Sequence, residues 1–417
     1  MSDFSKEERV AFEDILEGFE DALVISRNVA KYNVGDTMSE RANDIIWRPM
    51  PYIGVSYAGT DMTANFQDYT QLSVPATLGY EKSVPWIMTS KELRDKLQEG
   101  RLGTAAYQKL ASDVNVAVTN VAALQGTLVV DVATAATGFD DIAEFEAAMN
   151  ETGVAQMDRY AALSTRDYNN MASNLADRGT VQGKVLNAYE KARIGMLASF
   201  DTYKLDYAYY LAAATATSVE IDGANQYYTP QATSTATTGE TSNVDNRYQT
   251  ISVTATGTIA AGDCFTIEGV NSVHQITKQD TGQLKTFRVI TGTTGDGDIV
   301  ISPPIISGDG GTDAELQYKN VTATPANDAD ITFLNVAAAY ANPFWYKDSI
   351  EIRPGRYAVP TGSGAAVMRG TTDNGLEVVM TKFFDINTLK VKFRLDITFG
   401  VTMLAPEMAG IALFGQT

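Results

Sequence analysis

The chain carries one cysteine, Cys264, and one histidine, His274. They fall on neighbouring stretches that read as strands, and a thiolate beside an imidazole is the minimum for covalent catalysis. A triad would also need an acid fixed on the ring, and a lone cysteine and histidine in a β-rich region usually serve packing. Other candidate chemistry fails on spacing. RGTVQGKV, residues 178–185, has three residues between its glycines where a phosphate loop needs four, and Val185 stands where Ser or Thr would hold magnesium. SGDGGTDAE offers Asp309, Asp313 and Glu315 as oxygen ligands for calcium, but without EF-hand spacing; a solvated turn is the simpler reading. One histidine and no cysteine pair make no zinc set. Carboxylates are too abundant for any pair to signal a glycosidase. The expectation is a protein that is not an enzyme, with no catalytic residues, no cofactor and no metal.

Charge points the same way. Fifty-one acidic residues against 32 basic ones give −19. Such a field repels nucleic acid, whose binding rests on cationic side chains that release counterions, and the aromatic and basic interleaving of a nucleic-acid surface is missing. No recognition of a nucleic-acid sequence is expected. Self-repulsion also opposes association unless buried apolar area or cationic partners overcome it. No apolar run approaches the roughly 18 residues of a membrane span, so no membrane contact is expected. MSDFSKEERV lacks the basic start and apolar core of a signal peptide, and one cysteine suits a reducing compartment. The length suffices for two or three domains with their own cores.

If no reaction centre exists, the elements must serve contact. Phe12, Ile15, Leu16, Phe19 and Leu23 recur at helical spacing within residues 6–30, and the first 25 residues hold eight acids and two bases. The plain reading is a solvated face over a packed stripe. The sharper one is a docking arm for a basic partner, its stripe packed on a neighbouring copy. From 44 to 89, IIWRPMPYIGVSYAG and YTQLSVPATLGYEKSVPWIMT are β-prone and proline-bearing, predicting a long two-stranded ribbon that lies on another subunit. Ser90 is a candidate N-cap ahead of Glu92. Gly100 and Gly103 predict a break, after which TAAYQKLASDVNVAVTNVAALQG forms a spine helix about 33 Å long, stopped by Gly126. Its stripe is Leu110, Val114, Ala117, Val121 and Leu124. FDDIAEFEAAMNETG then predicts a helix ending in Gly153, MDRYAALST a buried strand, and RDYNNMASNLADRG a helix closed by Gly179. That alternation suggests a compact α/β subdomain.

TPQATSTATTGETSNVDNRYQTISVTATG, residues 229–257, turns from polar spacer to strand-like alternation at Tyr248. It opens a β-only region at about 215–335. YQTISVTAT, DCFTIEGV, VHQITK, TFRVITG, DIVISPP and ITFLNV, parted by Gly- and Asp-rich turns, predict a small barrel or sandwich. Residues 212–340 hold 14 acids and 5 bases, so nearly half of the net charge sits there. LKVKFRLDITFG then alternates, with Leu389, Val391, Phe393, Leu395, Ile397 and Phe399 on one face. A turn at Ala405-Pro406-Glu407 and a final MAGIALFG follow. Since the style differs on both sides, the β-region reads as an insertion into a host domain.

IIWRPMP, QLSVPATLGYEKSVPWIMTSKELRD and GTAAYQKLASDVNVAVTNVAALQGTLVV resemble, in order, the coat proteins of short-tailed phages of the Salmonella type. NVDNRYQTISVTATGTIAAGDCFTIEGV and ITFLNVAAAYANPFWYKDSIEI are similar to the same family. The closing LKVKFRLDITFGVTMLAPEMAGIALFGQT is similar to the final strands of the Hong Kong-type capsid fold. The resemblance implies an α+β Hong Kong-type capsid fold with an inserted antiparallel β-barrel. Its parts would be an N-terminal arm at 1–40, an extended loop at 41–89, and a peripheral domain with the spine helix at 90–138 and 341–417. An axial domain would occupy 139–214, with a returning segment near 336–345, and the inserted barrel 215–335. It implies pentamers and hexamers of the chain itself, a scaffolding protein, a portal protein, and a shell that expands as DNA enters. It implies scaffold docking at Glu13, Asp14 and Glu17, and contacts between capsomers through Glu240, Asp245, Arg94 and Arg101. The loop GETSNVDNR is richer in Thr and Ser, and poorer in acids, than the family pattern.

Two other readings are a cellular nanocompartment shell with the same fold and a β-barrel module that binds glycans or cells. Tyr248, Phe265, Phe287 and Tyr318 are few and scattered for a glycan platform, and the collinear match favours the phage coat.

Overall fold

The alternation after Leu389 builds the strand Lys390–Met403 in a computed structural model of the chain. The structure describes residues 6–32, 45–50, 54, 56, 59–63, 66, 69–89, 91–92, 96–177, 194–205, 207–357, 364–373 and 375–416. Ser90, Arg94, Gly179 and the whole of RGTVQGKV lie outside the described residues. The chain divides into two compact units. One comprises Met1–Ile46, Ala76–Val118 and Ile350–Thr402, the other Trp47–Pro75, Thr119–Ser349 and Met403–Thr417.

In the first unit, Lys390–Met403 pairs with Glu377–Asp385 on one side and Tyr80–Thr89 on the other. The sheet also holds Ala366–Thr371, Ile350–Pro354 and Ala30–Lys31. Val391, Phe393 and Leu395 are buried while Lys390, Lys392 and Arg394 are exposed, as period two requires of a half-solvated strand. From Leu395 to Gly400 both faces are buried, and Leu389, at φ 52°, is an exposed turn residue. The register of Tyr80–Thr89 corrects the expected ribbon. These ten residues pair within their own chain, Thr89 opposite Lys390 through Tyr80 opposite Phe399. Trp86 stacks on Phe393 at 5.5 Å and Tyr80 on Phe399 at 5.2 Å. The described remnant of the ribbon is the pair Ile46–Pro49 and Ser73–Ala76.

Helix α1, Lys6–Ala22, stops earlier than its apolar pattern suggests. Asn115 accounts for the stop: its Nδ2 donates to the Ala22 carbonyl at 3.0 Å and its Oδ1 accepts from Ser26 N at 3.3 Å. Phe12, Ile15, Phe19 and Leu23 are buried in their own chain, so the plain reading of this stripe holds and the packing on a neighbour does not. Helix α2, Lys96–Gln125, runs unbroken through Gly100 and Gly103 for 30 residues, about 45 Å at 1.5 Å per residue. Gly103 serves close approach: a Cβ there would lie 2.7 Å from Ile15 Cδ1, and one at Gly18 2.6 Å from the Tyr107 ring. Each glycine makes room for one side chain of the other helix, Gly103 for Ile15 and Gly18 for Tyr107.

The second unit contains a sheet ordered Leu128–Val132, Ala409–Phe414, Asn342–Tyr346, Arg159–Ser164, Phe200–Leu205 and Met196–Leu197. Helix α3, Phe139–Thr152, ends at Gly153 in the left-handed region at φ 93°, the conformation that favours glycine at this position. Helix α4 is Thr165–Asp177. Phe145 stacks on Phe344 at 4.8 Å and Phe200 meets both edge-on, at 6.3 and 6.2 Å.

A separate antiparallel sheet runs Thr217–Ile221, Gln249–Thr256, Gly297–Ser302, Asp280–Thr291, Cys264–Val273 and Ile331–Phe333. A bridge between Glu220 and Asp330 brings its two edge strands together, around a core that includes Ile251, Phe265, Phe287 and Ile301. Two expectations are corrected here. VHQITK is a turn after Val273, because the His274 ring accepts the Ile276 and Thr277 amides. The region also holds a helix, α5, Asp313–Tyr318, capped by the Thr312 hydroxyl accepting Glu315 N at 3.3 Å.

Gly410 sits opposite Leu128 and Phe344, where a Cβ would fall 2.3 Å from the Leu128 carbonyl oxygen and 2.6 Å from Phe344 Cζ. Gly410→Ala is expected to cost about 1–3 kcal/mol by overpacking, read as a lower melting temperature. Gly79→Ala, with open space around it, should leave the melt unchanged. Equal melts for the two would refute this account of the sheet.

Candidate functional site: assembly surfaces

Glu13, Asp14 and Glu17 are exposed on α1, on consecutive turns of one face. Other acids of this helix are engaged within the chain. Glu8 pairs with Lys382, and Glu20 Oε1 accepts the Asp373 amide at 3.2 Å. Arg101 is exposed on α2, whereas Arg94 lies outside the described residues. Glu240 is exposed at the turn of a hairpin, Thr233–Thr235 with Thr241–Asn243, whose strand residues are all exposed. Asp245 is different. Arg247 grips both its carboxylate oxygens, Nε to Oδ1 at 2.8 Å and Nη2 to Oδ2 at 2.6 Å, and donates Nη1 to the Met403 carbonyl at 2.8 Å.

The cysteine and histidine do not form a pair. Cys264 Sγ accepts Arg288 Nη1 at 2.7 Å, and burial pushes its thiol up while Arg288 opposes the shift. His274 Nδ1 is spent on its own turn, accepting at 3.2 and 3.1 Å. Asp309 takes hydroxyls from Ser307 at 3.0 Å and from Thr324, which hold its carboxyl below the usual range. Glu315 is buried and accepts the Thr229 hydroxyl. Among the described residues no three His, Cys, Asp or Glu side chains stand together as a metal set, and no helix is long and apolar enough to cross a membrane.

The seat of the inserted domain is built from cations that sequence reasoning passed over. Arg288 donates to the carbonyl of Ala123 in the last turn of α2, and the Thr286 hydroxyl donates to the Thr127 carbonyl at 2.6 Å. Glu407, on the turn Pro406–Met408, collects Lys285 Nζ at 2.5 Å, Gln275 Nε2 at 3.0 Å and Asn320 Nδ2 at 3.1 Å. Arg159 reaches back to α3, donating to Asn150 Oδ1 and the Val154 carbonyl at 2.7 Å each. The available signal was rarity. Of the five bases within 212–340, Arg247, Lys285 and Arg288 are buried.

Lys285 is 3 % exposed at its side chain, so removing its partner strands a buried charge. Glu407→Ala is expected to cost about 3–5 kcal/mol, while Lys285→Met with Glu407→Leu recovers most of the loss; denaturant melts that rank the double variant with the single one would overturn this. Nearby, burial pushes the Lys278 amine down from 10.5 to about 8. Between those values the unfolded chain binds more protons than the folded one, so stability rises with pH, and below about pH 8 the penalty is present in full. Lys278→Met should therefore raise the melting temperature at pH 7, with the advantage fading as pH climbs from 8 to 10.5. A gap constant across that window would contradict the assignment.

The family model described as P22 coat protein, gene protein 5, matches residues 2–415. Among solved structures, the chain is similar to the CUS-3 coat protein I-domain at 43% identity, over 28% of this chain and 95% of that one, with a TM-score of 0.23. A structure from Mycobacterium phage Che8 aligns over 94% of this chain and 90% of its own at 10% identity, TM-score 0.46. A virus-like particle from Pyrococcus furiosus aligns over 96% of each chain at 7% identity, TM-score 0.39. With one coat-protein model spanning almost every residue, the chain belongs to the P22 coat protein family and is a bacteriophage capsid protein of the virion.

Proposed function

We propose that the chain builds an icosahedral shell around double-stranded phage DNA, assembling in the host cytoplasm on a scaffolding protein and around a portal ring, and expanding as the genome enters. The observation that carries the reading is the family match over residues 2–415. It assigns no reaction to the protein. We divide the chain as the sequence suggests, with Tyr80–Thr89 moved from the loop to the sheet it pairs with: arm 1–40, loop 41–79, peripheral domain 80–138 with 341–417, axial domain 139–214 with a returning segment near 336–345, and inserted barrel 215–335.

The state of α1 supports the scaffold contact. Phe12, Ile15 and Phe19 are already buried, so what it presents outward is chiefly the charge of Glu13, Asp14 and Glu17, with Val10 exposed one turn before them. A cationic helix would find there a surface of charge with little apolar grip. An exposed ion pair contributes at most about 1 kcal/mol and is screened by salt, which suits a partner that must later leave. Between capsomers, Glu240 at its hairpin turn meets basic residues of another copy, with Arg101 and Arg94 as the candidates. Asp245 shapes the base of that hairpin through Arg247.

Electron microscopy of the expressed chain with and without scaffold tests the reading: closed shells of uniform size with scaffold are expected, and dispersed monomers under both conditions would sink it. Asp14→Ala with Glu17→Ala should weaken scaffold binding more at low salt than at high salt. Equal binding by variant and wild type at both salts would remove the α1 contact.

A further inference from the structure

We propose that the inserted β-domain aims the extended loop, through Gln317 and Tyr318 of α5 as positioning residues. The described ends of the loop pair with each other, and Gln71 Nε2 fastens them by donating to the Met50 and Leu72 carbonyls at 3.0 Å each. Met50 N donates to the Leu72 carbonyl at 2.9 Å. A two-stranded piece of this length is marginal alone in water, so its direction follows from what it is fastened to.

It is fastened to the inserted domain at three points. The peptide groups of Thr70 are held on both sides by α5. Its N–H donates to Gln317 Oε1 at 3.1 Å, and its carbonyl accepts the Tyr318 hydroxyl at 2.8 Å. Leu72 is buried against Ile306 and Tyr318, with Met50 and Tyr228 packed on the same cluster. Ser73 bridges to Asp245, the residue Arg247 fixes. Arg247 in turn holds the Met403 carbonyl, so the chain of contacts runs from the loop base through the inserted domain to the C-terminal segment.

The two hydrogen bonds engage the backbone of Thr70, so they are indifferent to its side chain. A cavity of about 70 Å³ in the same region is lined by residues including Met50, Leu72, Arg247, Tyr318 and Glu407. The consequence rests on the coat-protein reading: shell assembly depends on how the base of the loop, residues 70–73, is held.

Hydrogen exchange and electron microscopy of the full chain test this, using Tyr318→Phe alone and Tyr318→Phe with Gln317→Leu. Amides of residues 70–73 should exchange at least about tenfold faster in the double variant, and measurably faster in the single one. Strands Gln249–Thr256 and Gly297–Ser302 should keep wild-type protection. With scaffold, the double variant should give few closed shells or shells of mixed diameter, whereas Thr70→Ala should assemble like wild type. Unchanged exchange at 70–73, or shells indistinguishable from wild type despite faster exchange, overturns the proposal. Failure of the wild type to form any shell would instead count against the coat reading, and the exchange result stands apart from it.

Discussion

The last turn of a long helix leaves four carbonyls that the helix cannot satisfy, and the second unit is organised around closing that end of α2. Arg288 reaches the Ala123 carbonyl, and Thr127 donates its amide to Pro406 and Ala409 carbonyls at 3.1 and 2.9 Å. The Thr127 carbonyl then takes the Thr286 hydroxyl. One helix terminus thus ties the inserted domain, the Pro406–Met408 turn and the strand Ala409–Phe414 together. Gly126 makes this possible, since a Cβ there would lie 2.9 Å from the Gly410 amide nitrogen. Because Leu128–Val132 and Ala409–Phe414 run parallel from this point, their register follows from how the helix ends.

The same economy explains the buried cations. A planar guanidinium donates to several acceptors at fixed angles. Arg159 donates to the Val154 and Ala155 carbonyls and to Asn150 Oδ1 at the end of α3, and Arg288 to the Ala123 carbonyl at the end of α2 and to Cys264 Sγ. Both sites combine a cation with a helix C-terminus, where the dipole favours positive charge. Each is costly to bury alone, so the cations bind the inserted domain and its sheet to one arrangement.

Local patterns were legible in the sequence, and long-range partners were not. Lys390–Met403 could be read because its apolar residues alternate from Val391 to Met403; that the intervening Asp396, Thr398 and Gly400 are buried as well does not show in that pattern. FDDIAEFEAAMNETG could be read because Gly153 supplies the left-handed stop. Gly103 was misread because a glycine inside a helix costs about 1 kcal/mol and looks like a break, while its use shows only beside Ile15. VHQITK looked like a strand because Val273, Ile276 and Thr277 are β-branched, yet the imidazole between them binds two amides and makes a turn. Tyr80–Thr89 pairs with a strand some three hundred positions away, which no window of sequence contains. At the candidate surfaces, Glu13, Asp14, Glu17 and Glu240 look alike in sequence to Asp245; only the geometry of Arg247 separates the engaged acid from the exposed ones.

Burying cations has a consequence for assembly. In residues 212–340, ten of the fourteen acids are exposed and none of the five bases is. The surface of the inserted domain is therefore more uniformly acidic than its composition. Two such surfaces brought face to face repel, and salt within a Debye length of roughly 8 Å relieves only part of that. Any contact this domain makes must meet a cationic patch or bury apolar area, and its exposed hairpin, Thr233–Thr235 with Thr241–Asn243, offers no apolar strand residue. Arg101 of α2 is exposed on the same chain, whereas Lys109 on that helix is paired with Asp113 at 2.6 Å.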